Sequence, residues 1–173
     1  MTKGRTTVEQ LSDICVGCGF CCSSLLYDSA RLDDDEVDFA RTAGFETVVD
    51  PNSDRKRFAQ PCPHLKGTAC SIYQQRRPHI CSSFFCELAA KFTKGDIGQS
   101  EALEKVHEAQ RLMKRIEPLL LPGENWAAAR GRWFSNRRKT PPNREAAEFQ
   151  LLMTALNLFL DQNFRKERQR VIG

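Results

Sequence analysis

Apolar residues follow two regimes along this chain. Past residue 99 they recur at helical spacing, and before residue 95 they come in short, broken groups. Leu103, Val106, Ala109, Met113, Ile116 and Leu120 lie on one face of a helix predicted over Ser100 to Leu120. Pro122-Gly123 breaks it, and Asn125–Phe134 reads as a further helix. The last helix is predicted over Asn143–Phe164, with Phe149, Met153, Leu156 and Leu160 forming one stripe. In the first half, residues 1–12 read as a polar lead-in and residues 14–27 as a loop punctuated by Gly17 and Gly19. Asp33 is the N-cap of a short helix, with Glu36 three positions on and Gly44 at its end. Phe45–Val49 and Arg57–Gln60 flank a Pro-Asn-Ser-Asp turn and predict a small hairpin. Ile72–Arg77 reads as a helical turn closed by Pro78. Cys86 opens a helix over Glu87–Thr93 that Gly95 ends. The expectation is a mainly α fold. An irregular Cys-rich module with a small β hairpin occupies residues 13–94, and a C-terminal helical hairpin or bundle over residues 95–173 packs on it.

Composition sharpens this picture at a few points. A hydrophobic share of 40% and eleven Phe in 173 residues are enough for a core, which excludes a disordered chain. The first ten residues hold no apolar signal region, and no run approaches the ~18 apolar residues of a membrane span. These features place the chain in the cytoplasm with no membrane partner. The net charge of +4 hides an asymmetry: residues 1–90 hold ten Lys/Arg against twelve Asp/Glu, and residues 91–173 hold sixteen against ten. Basic tracts at Arg130–Lys139 and Arg165–Arg170 offer a face to an acidic protein or nucleic acid, against the plainer reading of solvated helix surface.

The candidate chemistry lies in cysteine. All eight fall in the first half, as Cys15, Cys18, Cys21, Cys22, Cys62, Cys70, Cys81 and Cys86, and residues 87–173 contain none. In a reducing compartment such thiols read as metal ligands rather than staples. Structural zinc and iron–sulfur clusters each take four ligands, so eight cysteines supply two four-thiolate sites or one site plus thiols of other purpose. Adjacent side chains diverge, so Cys21 and Cys22 are expected to serve different centres, or one of them to lie outside the ligand set. The run Cys15, Cys18, Cys21 is spaced like part of a bacterial ferredoxin motif, with Cys62-Pro63 as the remote ligand. This favours an iron–sulfur cluster mildly over zinc for one centre, and the cofactor expected is an iron–sulfur cluster, Fe or Zn. His64 and His79, close to Cys62 and Cys81, are candidates to ligate or hydrogen-bond beside a centre. Arg76, Arg77 and Tyr73 are candidates to flank it, and His107 reads as ordinary helix surface. Trp126 and Trp133 share a helix face, where core packing is the plain reading and a stacking platform beside Arg130 and Arg132 the sharper one. No phosphate-binding or nucleophile-elbow motif is present in the sequence.

These residues resemble a known family. Cys15-Val-Gly-Cys18-Gly-Phe-Cys21-Cys22 joined to Cys62-Pro-His-Leu and Cys70-Ser-Ile-Tyr…Arg-Pro-His-Ile-Cys81-Ser-Ser-Phe-Phe-Cys86 resembles the YkgJ-type cysteine cluster family, the CxxCxxCC zinc- or iron-chelating domain. The likeness spans residues 15–86, with every cysteine of the pattern in place. One extra residue separates Tyr73 from Pro78, and Ser82 stands where the pattern carries Arg. The resemblance implies metal chelation by the eight cysteines and assigns no reaction. Three functions follow: a zinc or iron (or iron–sulfur) binding protein; an iron–sulfur-dependent enzyme of group-transfer or redox chemistry, for which methylation in some relatives is the lead; and a zinc-stabilised module that binds nucleic acid or protein.

Overall fold

Leu11 and Ile14, three residues apart, sit in a helix where the sequence predicts a polar lead-in and a loop. The computed structural model describes residues 7–49 and 53–172. Its helices are α1 (Thr7–Cys18), α2 (Val37–Thr42), α3 (Ile80–Ser83), α4 (Glu87–Lys94), α5 (Gln99–Ile116), α6 (Trp126–Asn136) and α7 (Arg144–Asn163). Its strands are β1 (Ser29–Arg31), β2 (Thr47–Val49), β3 (Lys56–Ala59), β4 (Leu65–Lys66) and β5 (Ala69–Cys70). The mainly α class with a small antiparallel sheet is as the sequence predicts. Contacts divide the chain into a helical unit, Met1–Cys18 with Phe85–Gly173, and a second unit, Gly19–Phe84.

In the helical unit, α5 packs on α7, α6 on α7, and α1 on both α4 and α5. Buried Val106, Ala109 and Ile116 of α5 and Phe149, Met153, Leu156 and Leu160 of α7 are the stripes read from the sequence. Asn125 and Asn143 cap their helices by accepting the amide hydrogens of Ala128 at 2.9 Å and Ala146 at 2.8 Å. Trp133 is buried, and its indole N–H donates to Thr154 Oγ1 at 3.0 Å, so core packing is its role. α1 corrects two expectations, the lead-in over residues 7–12 and the loop from residue 14. Residues 1–6 lie outside the described residues. Ile14 is buried, and the Gly17 carbonyl accepts a hydrogen bond from Gln110 of α5 at 2.9 Å. Burial of Ile14 where α1 packs on α4 and α5 offsets the helix cost of Gly17, about 1 kcal/mol.

A buried polar group closes the helical unit. Arg165, 1% exposed, donates from Nη1 to Asp161 Oδ1 at 2.8 Å and to Asn157 Oδ1 at 3.0 Å. The other Asp161 oxygen accepts the amide hydrogens of Val171 at 2.9 Å and Ile172 at 2.8 Å. This pairing ties the end of the described chain back onto α7.

In the second unit, β3 lies between β1 and β2, antiparallel to both. The expected hairpin is therefore present as β2–β3, although Pro51 and Asn52 of its turn lie outside the described residues. β1 adds an edge that the sequence did not announce. Phe58 on β3 faces Leu32, Ala40 and Phe45 in one buried cluster, with Phe45 edge-on to it at 4.9 Å between ring centres. The Asp33–Glu36 cap forms as expected, with the Glu36 carboxylate accepting the Asp33 amide hydrogen at 3.2 Å. Residues 71–74 form turns, and the Gln75 N–H on the Ile72 carbonyl at 2.9 Å closes one turn at the start of Ile72–Arg77.

Candidate metal centre

The cysteines of Gly19–Phe84 are brought together by short turns. The chain leaves α1 through Gly19 at φ 66°, and the amides of Cys22 and Ser23 donate to the Gly19 carbonyl at 3.0 and 3.1 Å. A Cβ at Gly19 would stand 3.0 Å from the backbone Cα and O of Thr68, in the turn between β4 and β5. The cysteine loop is thus seated against that hairpin. A second pin is the Cys62 amide, which donates to the Cys22 carbonyl at 2.8 Å. From Cys62 the chain turns directly into β4, whose Leu65 pairs with Cys70 on β5. Cys62, Ile72 and Ile80 all pack against the Leu32–Ala40–Phe45–Phe58 cluster, which carries Cys81, next to Ile80, into the same neighbourhood.

Electrostatics agree with this placement. Burial pushes the Cys81 thiol up to about 12, and negative charge at Cys22, Cys62 and Cys70 adds to the rise while Arg77 opposes it. Burial likewise raises Cys62, opposed by hydrogen bonds from the His64 and Leu65 amides, with Cys70 adding to the rise. Although Cys81 keeps accessible surface, crowding around its sulfur still costs the thiolate hydration. Amides two and three residues ahead, aimed at a sulfur, stabilise thiolate charge.

The same device recurs in the helical unit. Cys86 caps α4, and its sulfur receives the Ala89 amide at 3.5 Å and that of Leu88. Burial nonetheless raises the Cys86 thiol. On α1, which packs on α4, burial and then Cys86 push the Cys15 thiol up to about 11. Cys15 and Cys18 stand one turn apart on α1, so the ferredoxin-like loop expected there is replaced by a helix. Each neighbourhood mixes early with late cysteines: Cys15 with Cys86, and Cys22 with Cys62, Cys70 and Cys81. None of the eight is disulfide-bonded. Among the described residues, no group of three or more His, Cys, Asp or Glu side chains is already arranged around a point where a metal ion fits. The thiols share neighbourhoods without sharing a coordination sphere.

The other candidates are largely engaged in structure. His64 Nε2 bonds the Ala43 carbonyl at 2.8 Å and its ring packs on Phe45. His79 Nδ1 lies 3.4 Å from Asp33, and its amide donates to Glu36 at 2.6 Å. Arg76 covers the Phe39 ring at 4.3 Å and Arg77 the exposed Tyr73 ring at 4.4 Å, and Arg77 is the arginine that bears on Cys81. His107 is exposed, as expected. The basic tracts are partly drawn into the fold. Arg132 grips Glu124 at 2.7 and 2.8 Å and covers Phe149 at 3.5 Å, Arg137 covers Phe134 at 3.5 Å, and Arg165 is buried. Burial, with Arg165 nearby, lowers Arg130 to about 10. The sequence signal for the amide-to-sulfur bonds was the Cys-Pro-His-Leu turn and the helix start after Cys86; the contact of Gly19 with Thr68 had none.

Cys62 and Cys86 thus have backbone amides aimed at their sulfurs, within a chain whose eight cysteines are all free thiols. The chain belongs to the CxxCxxCC family, described as a putative zinc- or iron-chelating domain, whose model matches residues 14–105, more than half its length. No curated protein and no solved structure matches the chain. No helix among the described residues is long and apolar enough to cross a membrane.

Proposed function

We propose that this chain binds zinc or iron, as single ions or as an iron–sulfur cluster, through its cysteine thiolates, in the cytoplasm. The observation that carries the reading is the gathering of Cys22, Cys62, Cys70 and Cys81 within Gly19–Phe84, together with the family match. Soft or borderline metal ions suit a donor set of this kind. The donor set fits the group: thiolate charges that oppose one another are what a cation relieves. Cys15, Cys18, Cys21 and Cys86 complete the proposed ligand supply.

Size supports the same reading. Gly19–Phe84 has a small core, with Leu32, Ala40, Phe45 and Phe58 in one cluster and Phe20, Leu25 and Leu26 also buried. Below about 70–80 residues such a core is usually reinforced by disulfides or a metal. None of the eight cysteines is in a disulfide, so their thiols are free to supply a metal as that reinforcement. Ligation then draws the sulfurs onto a common centre by rotation of the cysteine side chains. The residues' part is to present thiolates and to stabilise their charge with the amides of His64, Leu65, Leu88 and Ala89.

The test is anaerobic purification followed by elemental analysis and visible absorption. Brown protein containing iron and sulfide identifies a cluster, and colourless protein with zinc identifies a zinc site. Protein that holds neither metal, and acquires neither on reconstitution, ends the proposal.

A further inference from the structure

We infer that Cys22, Cys62, Cys70 and Cys81 constitute one complete four-thiolate metal site contained within Gly19–Phe84, which fills without Cys15, Cys18, Cys21 or Cys86. The inference rests on the metal-binding reading above and adds to it the division of ligands.

Three backbone features carry it. The Cys62 amide to Cys22 carbonyl bond at 2.8 Å makes these two residues neighbours through the main chain, however their side chains turn. The close approach of Gly19 to Thr68 seats the turn holding Cys22 against the β4–β5 hairpin, which carries Cys70 opposite Leu65. Ile80, Ile72 and Cys62 pack against one buried cluster, and this fixes the start of α3, where Cys81 stands. All three features lie inside one compact unit.

The main-chain bond from Cys62 runs to Cys22 and not to Cys21, and neighbouring side chains leave the backbone in different directions, so Cys22 is the member of the pair assigned to the site. Four thiolates are a full complement for a closed tetrahedral site. Among the described residues no three such side chains yet surround a point, so under this proposal the cysteine side chains rotate about the ion as it binds.

The experiment uses the full chain, reduced and metal-free, given one equivalent of zinc under argon and then N-ethylmaleimide. Labelling is read peptide by peptide by mass spectrometry. The expected result is loss of labelling at Cys62, Cys70 and Cys81 together, with Cys15 labelled as in the metal-free protein. Protection of Cys15 in step with Cys81, or continued labelling of Cys70 or Cys81, overturns the division while leaving metal binding intact. No protection of any cysteine at excess zinc overturns the metal-binding reading as well. A second measurement uses cobalt(II) in its place. The double variant Cys15→Ser/Cys86→Ser should keep the thiolate-to-cobalt charge-transfer band of one four-sulfur site. Cys81→Ser should lose it. Loss of the band in the double variant, if its circular dichroism matches the wild type, counts against the inference.

Discussion

Replacing Gly19 by alanine should unseat the cysteine loop from the β4–β5 hairpin, and the cost follows from the geometry. Gly19 has φ 66°, a left-handed conformation that costs an L-residue about 1–2 kcal/mol. The added Cβ also meets Thr68 Cα and O at 3.0 Å and Thr68 Cβ at 3.3 Å. Two of those three atoms are backbone, so no flexible side-chain end can yield. Overpacking of this kind costs roughly 1–3 kcal/mol. The sum is about 2–5 kcal/mol, or at least ~30-fold in an equilibrium constant at 1.4 kcal/mol per decade. Gly17→Ala is the matched control. Gly17 is in α1, and no atom lies within 4 Å of the place an alanine methyl would take, so alanine there should stabilise by about 0.5–1 kcal/mol. Urea unfolding of the metal-free chain and competitive zinc titration measure both variants. Gly19→Ala with the wild-type midpoint and zinc affinity would refute the seating of the loop on the hairpin.

Three further outcomes follow from named contacts. Asp161→Ala leaves the buried Arg165 guanidinium without its carboxylate and frees the amides of Val171 and Ile172, so urea unfolding should show a loss of about 3–5 kcal/mol. Glu124 is held below the usual carboxylate range, chiefly by its hydrogen bonds from Arg132, so its contribution is complete above its ordinary 4.5 and is lost as pH falls through the lower folded value. Glu124→Gln should therefore cost about 1.5–3 kcal/mol at neutral pH, and the gap to wild type in thermal melts should close in acid. Because burial keeps Cys81 and Cys62 protonated at pH 7, zinc must displace their protons; a weakly buffered titration should release ~4 protons per ion, and zinc affinity should fall as pH falls.

What the sequence disclosed, it disclosed through local chemistry. Asp33 and Glu36 announced a cap, Gly95 a helix end, and the α7 stripe a core face, because each signal is complete within a few residues. α1 was hidden because packing on α4 and α5 around buried Ile14, rather than a long apolar stripe of its own, holds it as a helix. β1 is three residues long and borrows its conformation from pairing with β3, so nothing within it signals a strand. The grouping of the thiols was illegible for a similar reason. Cys22 lies forty positions before Cys62, and only a backbone bond between distant turns makes them neighbours. Spacing alone placed Cys15, Cys18 and Cys21 in one loop, whereas the first two stand on α1 and the third lies in the turn that follows it.

The proposed site also makes a demand on charge that Arg77 is placed to meet. A dication on four thiolates carries a net charge of about −2, and hydrogen-bonding amides offset only part of it. Arg77 is the cation that bears on Cys81, held there by stacking on Tyr73 at 4.4 Å. Arg76, next in sequence, stacks on Phe39 instead and exerts no comparable influence on Cys81, which makes it the internal control. An attraction of this partly exposed kind is worth up to about 1 kcal/mol, or about fivefold in affinity. Arg77→Gln should weaken zinc binding by about that factor at low ionic strength, and the deficit should shrink in ~1 M salt, where the screening length is ~3 Å. Arg76→Gln should leave it unchanged. An Arg77→Gln deficit that salt does not diminish would mean that the side chain acts by shape rather than charge, and no deficit at all would remove Cys81 from the centre that Arg77 faces.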